Sequence, residues 1–208
     1  MSSNTTAPPS DASNSSTTTT TAPPERSFGA ILQRKALKYY YMMSQQARYY
    51  LPYTTFEATQ ITDQLYLGDI NDAFNVDALK ERNITNVVTC VKSLEPFYPE
   101  QGFDYLNLHL YDMADESIEH VFDESYQYID KAIGDGKSVL VHCMKGKSRS
   151  ATILIAYLMR KNHWTYEETF KFVKHKRDLV QPNKGFEEQL KKFQQHLDTT
   201  TKQSSSQD

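Results

Sequence analysis

At 208 residues, with 38% hydrophobic, 12% aromatic and 24% charged side chains, the chain is long enough for one soluble domain with a sizeable core plus tails. Its formal net charge of −3 gives no global pull toward nucleic acid or an anionic membrane, and nucleic acid is not an expected partner. The two cysteines, Cys90 and Cys143, make no disulfide framework and point to a reducing compartment, cytoplasmic or nuclear, in keeping with an amino terminus that carries no secretory signal.

Residues 1–25 are Ser, Thr, Asn, Pro and Ala almost throughout, with Asp11 and Glu25 the charged exceptions. Nothing there can build a core, and a disordered tail is expected; residues 198–208 read the same way. Residues 26–56 differ. Arg26, Arg34, Lys35, Lys38 and Arg48 are cationic with no acid between them, and Tyr39, Tyr40, Tyr41, Tyr49 and Tyr50 interleave. This basic, tyrosine-rich extension is either an extra helix packed on the domain or an element that binds a partner or lipid.

From residue 57 to 197 the pattern is a compact α/β domain. "ATQITDQLYLGD" reads as two short strands, and "NVDALKERN" as an amphipathic helix with Val76 and Leu79 on one face. "NVVTCV" reads as a buried strand and "FDYLNLHL" as an alternating one. Ser117 is placed to cap a helix whose face is Ile118, Phe122, Ile129 and Ile133, with Gly134 and Gly136 ending it. "SVLVHC" is the next strand. Helices follow over residues 149–161, over 165–176, where Thr165 and Glu168 make a capping box, and from near Asn183. The longest apolar run, residues 151–159, is far too short to span a bilayer, so no transmembrane segment is expected. No internal repeat occurs. Strands alternating with helices predict an α/β fold, a mainly parallel central sheet flanked by helices on both faces.

The chemistry lies between the last strand and the helix after it, in "HCMKGKSRS". The triplet Gly146-Lys147-Ser148 ends as a nucleotide-binding Walker loop does, but such a loop needs a glycine five residues earlier, where Val141 stands. A second such triplet, Gly136-Lys137-Ser138, has Lys131 there and precedes its strand. Nucleotide hydrolysis is thereby excluded. What remains is a cysteine nucleophile: Cys143 and Arg149 lie six apart at a strand–loop–helix junction. The amides of Met144, Lys145, Gly146, Lys147, Ser148 and Arg149 can converge on one anion there. The helix beginning near Arg149 adds its positive end, and the Arg149 fork matches two phosphate oxygens. Gly146 permits a turn that a Cβ would strain. This field lowers the pKa of Cys143, and a thiolate facing an anion nest is suited to in-line attack on phosphorus.

"HCMKGKSRS" resembles the His-Cys-x5-Arg-Ser/Thr signature of cysteine-based protein phosphatases. Its flanks, "QITDQLYLGD", "NDAFNVDALKERNITNVV", "AYLM" and "VQPNKGFEEQL", resemble the dual-specificity branch, atypical compact type, over residues 57–197. The resemblance implies a phosphotyrosine-phosphatase-like fold, a shallow site, no metal or other cofactor, and phosphoproteins carrying phosphotyrosine or phosphoserine/threonine as substrates. It implies that His142 hydrogen-bonds the loop and helps hold the thiolate. Ser150 is either plain helix N-terminal chemistry or, by resemblance, the hydroxyl that stabilises the thiolate as it leaves a phosphoenzyme. Asn183 is an N-cap or, by resemblance, also a brace for the catalytic loop. Lys145 stands where the family often has alanine. With Lys147 it is either a solvated charge or a phosphate ligand, and lysines in this loop resemble those of phosphoinositide-directed relatives, which place them differently. A phosphoinositide phosphatase of the same fold is therefore the first alternative. A phospho-binding pseudophosphatase is an alternative of another class, against which the intact Cys143, Arg149 and Asp112 stand.

Leaving-group departure needs a proton donor. By resemblance the acid lies on a loop after a strand, roughly thirty residues before the cysteine, and Asp112 in "LNLHLYDMADESIEHVF" matches it. Asp115 resembles the acid near the start of the next helix, which favours that helix end. Cys90 should lie on the strand beside the one leading to Cys143. It is either a small buried apolar residue or, as in some relatives of this fold, the partner of a protective back-door disulfide. Arg34-Lys35, then Leu37 and Tyr39, in "QRKALKYYYM" resemble the docking peptides of mitogen-activated protein kinase partners; a plain surface helix is the other reading.

Overall fold

The structure is a computed structural model that describes residues 55–204, with side chains to residue 199. The tail expected over residues 1–25 and the extension expected over residues 26–56, with the kinase-docking motif, lie outside the described residues except for Thr55 and Phe56, as do residues 205–208.

The sheet has five strands in the order β1-β2-β5-β3-β4: β1 Thr59–Thr62, β2 Leu65–Gly68, β3 Ile84–Thr89, β4 Asp104–Asn107 and β5 Ser138–His142. β1 pairs antiparallel with β2, and every other pairing is parallel, as the alternation of elements predicts. β5 lies in the middle and is buried along its whole length, which explains its unbroken apolar run. Its carboxyl end therefore opens between the ends of β2 and β3.

Six helices are described: α1 Ile70–Phe74, α2 Val76–Glu81, α3 Phe122–Gly134, α4 Arg149–Asn162, α5 Tyr166–Lys176 and α6 Lys184–Ser204. α4 is buried from Arg149 to Met159 and packs against β5, α3, α5 and α6, so its apolar residues run round the helix instead of along one stripe. The capping box of Thr165 and Glu168 opens α5 as expected. No helix of the described residues is long and apolar enough to cross a membrane.

Four local expectations change. α1 was not anticipated; Asp69 caps it, in a capping box with Asp72. The strand expected from "FDYLNLHL" stops at Asn107, because β3, its only neighbour among the described residues, ends at Thr89; the chain then stays tied to the end of β3 by Leu108 N–H to Thr89 O at 2.8 Å. Ser117 caps nothing. A 3-10 turn over Glu119–Val121 precedes α3, and the free amides of Ile118 and Glu119 donate instead to Gln189 Oε1 of α6, at 2.7 and 3.3 Å. Finally, α6 runs to Ser204, past residue 198 where the tail was expected to begin.

Candidate active site

β5 delivers His142 to the carboxyl end of the sheet, six residues turn, and α4 starts at Arg149. The turn is possible because Gly146 has φ +62° and no side chain. An ideal Cβ there would sit 2.5 Å from the Gly68 carbonyl oxygen at the end of β2. The loop is tied down from outside. Arg177 Nε donates to Gly146 O at 3.3 Å while its Nη1 donates to Glu57 O and Thr59 Oγ1, both at 3.0 Å. Gln181 N–H donates to Lys147 O at 2.8 Å.

Cys143 is 2% exposed, at the floor of this turn. Burial pushes its thiol up. The Ser150 hydroxyl, 3.2 Å from Sγ, the Ser150 and Lys145 amides and the Arg149 charge outweigh that and hold it below the ordinary cysteine value. The thiol is thus poised to ionise, and its rate of alkylation should rise with pH through a midpoint lower than that of free cysteine (about 8.5). Ser150→Ala removes one stabilising donor, so iodoacetamide titration should place its midpoint higher than the wild-type one; an unmoved midpoint would make Ser150 plain helix chemistry.

His142 is fully buried, and burial pulls its imidazole down to about 4 against the opposing Cys143 backbone, so the ring is neutral near pH 7. Its Nε2 meets Thr89 Oγ1 at 3.0 Å, which ties the end of β5 to β3. Arg149 is almost buried. Its Nη1 donates to Leu110 O at 3.3 Å; among the described residues its buried Nε has no hydrogen-bond acceptor, and Asp112 Oδ2 stands 3.7 Å from it. A buried guanidinium with an unmet donor fits an anion. Met144 is half-buried, while the Lys145 and Lys147 side chains are exposed at the rim.

Asp112 comes to the loop and Asp115 does not: Asp115 is exposed in a turn before the 3-10 segment and outside the first turn of α3, so it does not serve that helix end. Asp112 Oδ1 accepts from Ser148 Oγ at 2.7 Å and from Asn183 Nδ2 at 3.1 Å. Ser148, read from the sequence as a phosphate ligand through its amide, thus turns its hydroxyl to the acid; the same oxygen accepts from Asn183 N–H at 3.2 Å. Asn183 caps α6 through its Oδ1, which accepts from Phe186 N–H at 3.0 Å, while its Nδ2 donates to Asp112. With Oδ1 pinned by two donors, Oδ2 is the oxygen turned toward Arg149.

Sequence reading missed Arg177 and the buried Asp72, whose Oδ1 accepts from the Glu57 and Ala58 amides at 2.7 and 2.9 Å. Arg177 closes α5 beside Lys174 and Lys176, and nothing in "KHKRD" separates a brace from helix-end cations. For Asp72 a signal existed: it stands three residues after Asp69, the capping-box spacing.

The family model for the dual specificity phosphatase catalytic domain matches residues 65–196. Dual specificity protein phosphatase 1 of Arabidopsis thaliana is 42% identical over 137 residues, which cover 66% of this chain and 69% of that protein. The MAP kinase phosphatase with leucine-rich repeats protein 1 of Dictyostelium discoideum is 41% identical over 137 residues, 66% of this chain and 16% of that protein. The crystal structure of human DUSP28 aligns with a TM-score of 0.65 at 27% identity, covering 68% of this chain and 99% of that one. The chain belongs to the dual-specificity phosphatase family. It is a protein phosphatase with the phosphotyrosine-phosphatase type of fold.

Proposed function

We propose that the chain hydrolyses phosphotyrosine and phosphoserine/threonine in proteins through a phosphocysteine on Cys143. The observation that carries this reading is the buried Cys143 sulfur, with its depressed pKa, at the start of α4 beside the Arg149 guanidinium. The phosphoryl group is held by the amides of residues 144–149 and by Arg149, which binds equatorial oxygens through the Nε that has no acceptor among the described residues. The Cys143 thiolate attacks phosphorus in line, the P–O bond breaks, and Asp112 in its acid form gives the leaving oxygen a proton from Oδ2. Asp112, now a carboxylate, takes a proton from water as that water attacks the phosphocysteine. The P–S bond breaks, and the Ser150 hydroxyl stabilises the thiolate that leaves. His142 acts at one remove, neutral and fixed on Thr89.

The exposed Lys145 and Lys147 favour a second reading, a phosphoinositide phosphatase of the same fold. Turnover of tyrosine- and threonine-phosphorylated peptides beside inositol phosphate head groups decides between the two. Faster peptide turnover is expected, and faster head-group turnover would reverse the assignment. Turnover of neither class would leave a phospho-binding pseudophosphatase, a reading that the assembled Cys143, Arg149 and Asp112 disfavour. A mitogen-activated kinase is the partner we propose for the extension over residues 26–56, from its basic-then-hydrophobic pattern and the name of the Dictyostelium relative. Removing residues 1–56 should spare small-substrate turnover and weaken kinase capture; undiminished capture would end the idea.

The protective role for Cys90 is also proposed. Thr89 and His142 are register partners across the parallel β3–β5 pair, and Cys90 and Cys143 follow them directly; Cys90 N–H donates to His142 O at 2.9 Å. Strands lie about 4.8 Å apart, within the separation that a disulfide spans. Burial, reinforced by the Cys143 charge and opposed by Arg149, keeps the Cys90 thiol well above the ordinary value, so it is protonated when Cys143 is not. Peroxide oxidises the Cys143 thiolate to sulfenic acid; the Cys90 sulfur then displaces its oxygen as water, and the S–S bond forms. After mild peroxide and then reductant, Cys90→Ser should recover less activity than wild type. Equal recovery, with no Cys90–Cys143 crosslink in wild-type peptide maps, would return Cys90 to the core.

A further inference from the structure

α6 begins with Asn183 as its cap and then Lys184 and Gly185, and glycine costs a helix about 1 kcal/mol relative to alanine. Here the glycine has a reason. An ideal Cβ on Gly185 would overlap the Ala114 carbonyl oxygen and stand 2.6 Å from its carbon, all of it main chain that cannot swing aside. Ala114 is two residues beyond Asp112. One turn further along α6, Gln189 holds the rest of the same segment: its Nε2 donates to Glu116 O at 2.9 Å, and its Oε1 accepts from Ile118 and Glu119 N–H. Asn183 Nδ2 adds a bond to Met113 O at 3.3 Å. The whole acid-bearing segment is thus seated on one end of α6, by a gap at Gly185 and a two-sided amide at Gln189.

We infer that Gly185 and Gln189 are positioning residues that set the distance between the Asp112 carboxyl and the catalytic loop. Neither touches the phosphoryl group. This rests on the reading of Asp112 as the general acid. A Cβ at Gly185 must push the Ala114 main chain away by about an ångström, a displacement that can cost roughly 100-fold in rate when it falls on a catalytic group. In kcat/KM, which ends with departure of the leaving group and so excludes the shared hydrolysis of the phosphocysteine, the cost should appear only where protonation of the leaving group matters. Phenol titrates near 10 like tyrosine (~10) and needs the proton, whereas 4-nitrophenol is far more acidic and leaves without it.

The test is the ratio of kcat/KM for 4-nitrophenyl phosphate to kcat/KM for phenyl phosphate, in wild type, Asp112→Asn, Gly185→Ala, Gln189→Leu and Gln189→Glu. Asp112→Asn should raise the ratio by roughly 100-fold or more. Gly185→Ala should raise it by about 10- to 100-fold. Gln189→Leu should raise it less, and Gln189→Glu, which keeps the acceptor for Ile118, should fall between Gln189→Leu and wild type. The pH profile of Cys143 alkylation should stay at the wild-type position in the Gly185 and Gln189 variants, because the thiolate's own donors are untouched. If Gly185→Ala does not fold, by circular dichroism, the two Gln189 variants carry the test. An unchanged ratio in Asp112→Asn overturns the assignment of the acid and this inference with it. A raised ratio there beside wild-type ratios in the folded Gly185 and Gln189 variants overturns this inference alone, as would a shifted alkylation profile.

Discussion

Cys143→Ser is expected to lower turnover of every phosphate ester by at least about 10⁴-fold while leaving the loop able to bind an oxyanion. The serine oxygen is close in shape to the sulfur, but no arrangement of the Ser150 hydroxyl, two amides and Arg149 brings an aliphatic hydroxyl to ionise near neutral pH. In the proposed reading the anion is held by the main chain of residues 144–149 and by Arg149, whose Nε lacks an acceptor among the described residues, and the substitution alters none of these groups. Titration calorimetry with tungstate, a phosphate-like oxyanion, should give a Kd for Cys143→Ser within about tenfold of the wild-type value, about 1.4 kcal/mol. Residual turnover of several per cent, or lost tungstate binding in a folded variant, would remove Cys143 from the role of nucleophile on an intact nest.

Arg149→Ala should damage both steps. The guanidinium is nearly buried, so its charge acts in a medium that screens poorly. Two charge-assisted hydrogen bonds to phosphate oxygens are worth about 1.5–3 kcal/mol each, which sets a loss of roughly 10²–10⁴ in kcat/KM together with weakened tungstate binding. The substitution also breaks the bond to Leu110 O, two residues before Asp112, so thermal unfolding should be followed alongside. Arg149→Lys keeps the charge and loses the planar fork; it should recover the alanine variant only in small part. Recovery to near the wild-type rate would mean that charge alone is used there.

What could be read from the sequence was local. Cys143 and Arg149 are six apart across a strand–loop–helix junction, and the loop between them has few ways to close, so the nest and its cation were legible together. The same holds for the capping box at Thr165 and for the parallel order implied by alternating elements. Asp112 was legible through resemblance to a family, since no local pattern distinguishes it from Asp115; the structure separates them by two donors from the loop and from α6. Arg177 was not legible, because its partner Gly146 lies 31 residues away and any cation would suit the end of α5. Nor was Gln189, which serves main-chain groups more than 70 residues distant and takes the place that local pattern gave to Ser117. Gly185 could be seen as a glycine in a helix, but the carbonyl that requires it belongs to another loop.

The reading of Cys143 as a covalent nucleophile is tested most directly by rapid acid quench of the full chain during turnover of 4-nitrophenyl phosphate, followed by peptide mapping. The account predicts phosphate bound through sulfur to Cys143 at early quench times, equal in amount to the first burst of nitrophenol and absent from Cys143→Ser. Phosphate recovered on any other residue, or none on the protein at any quench time while nitrophenol accumulates, would contradict it.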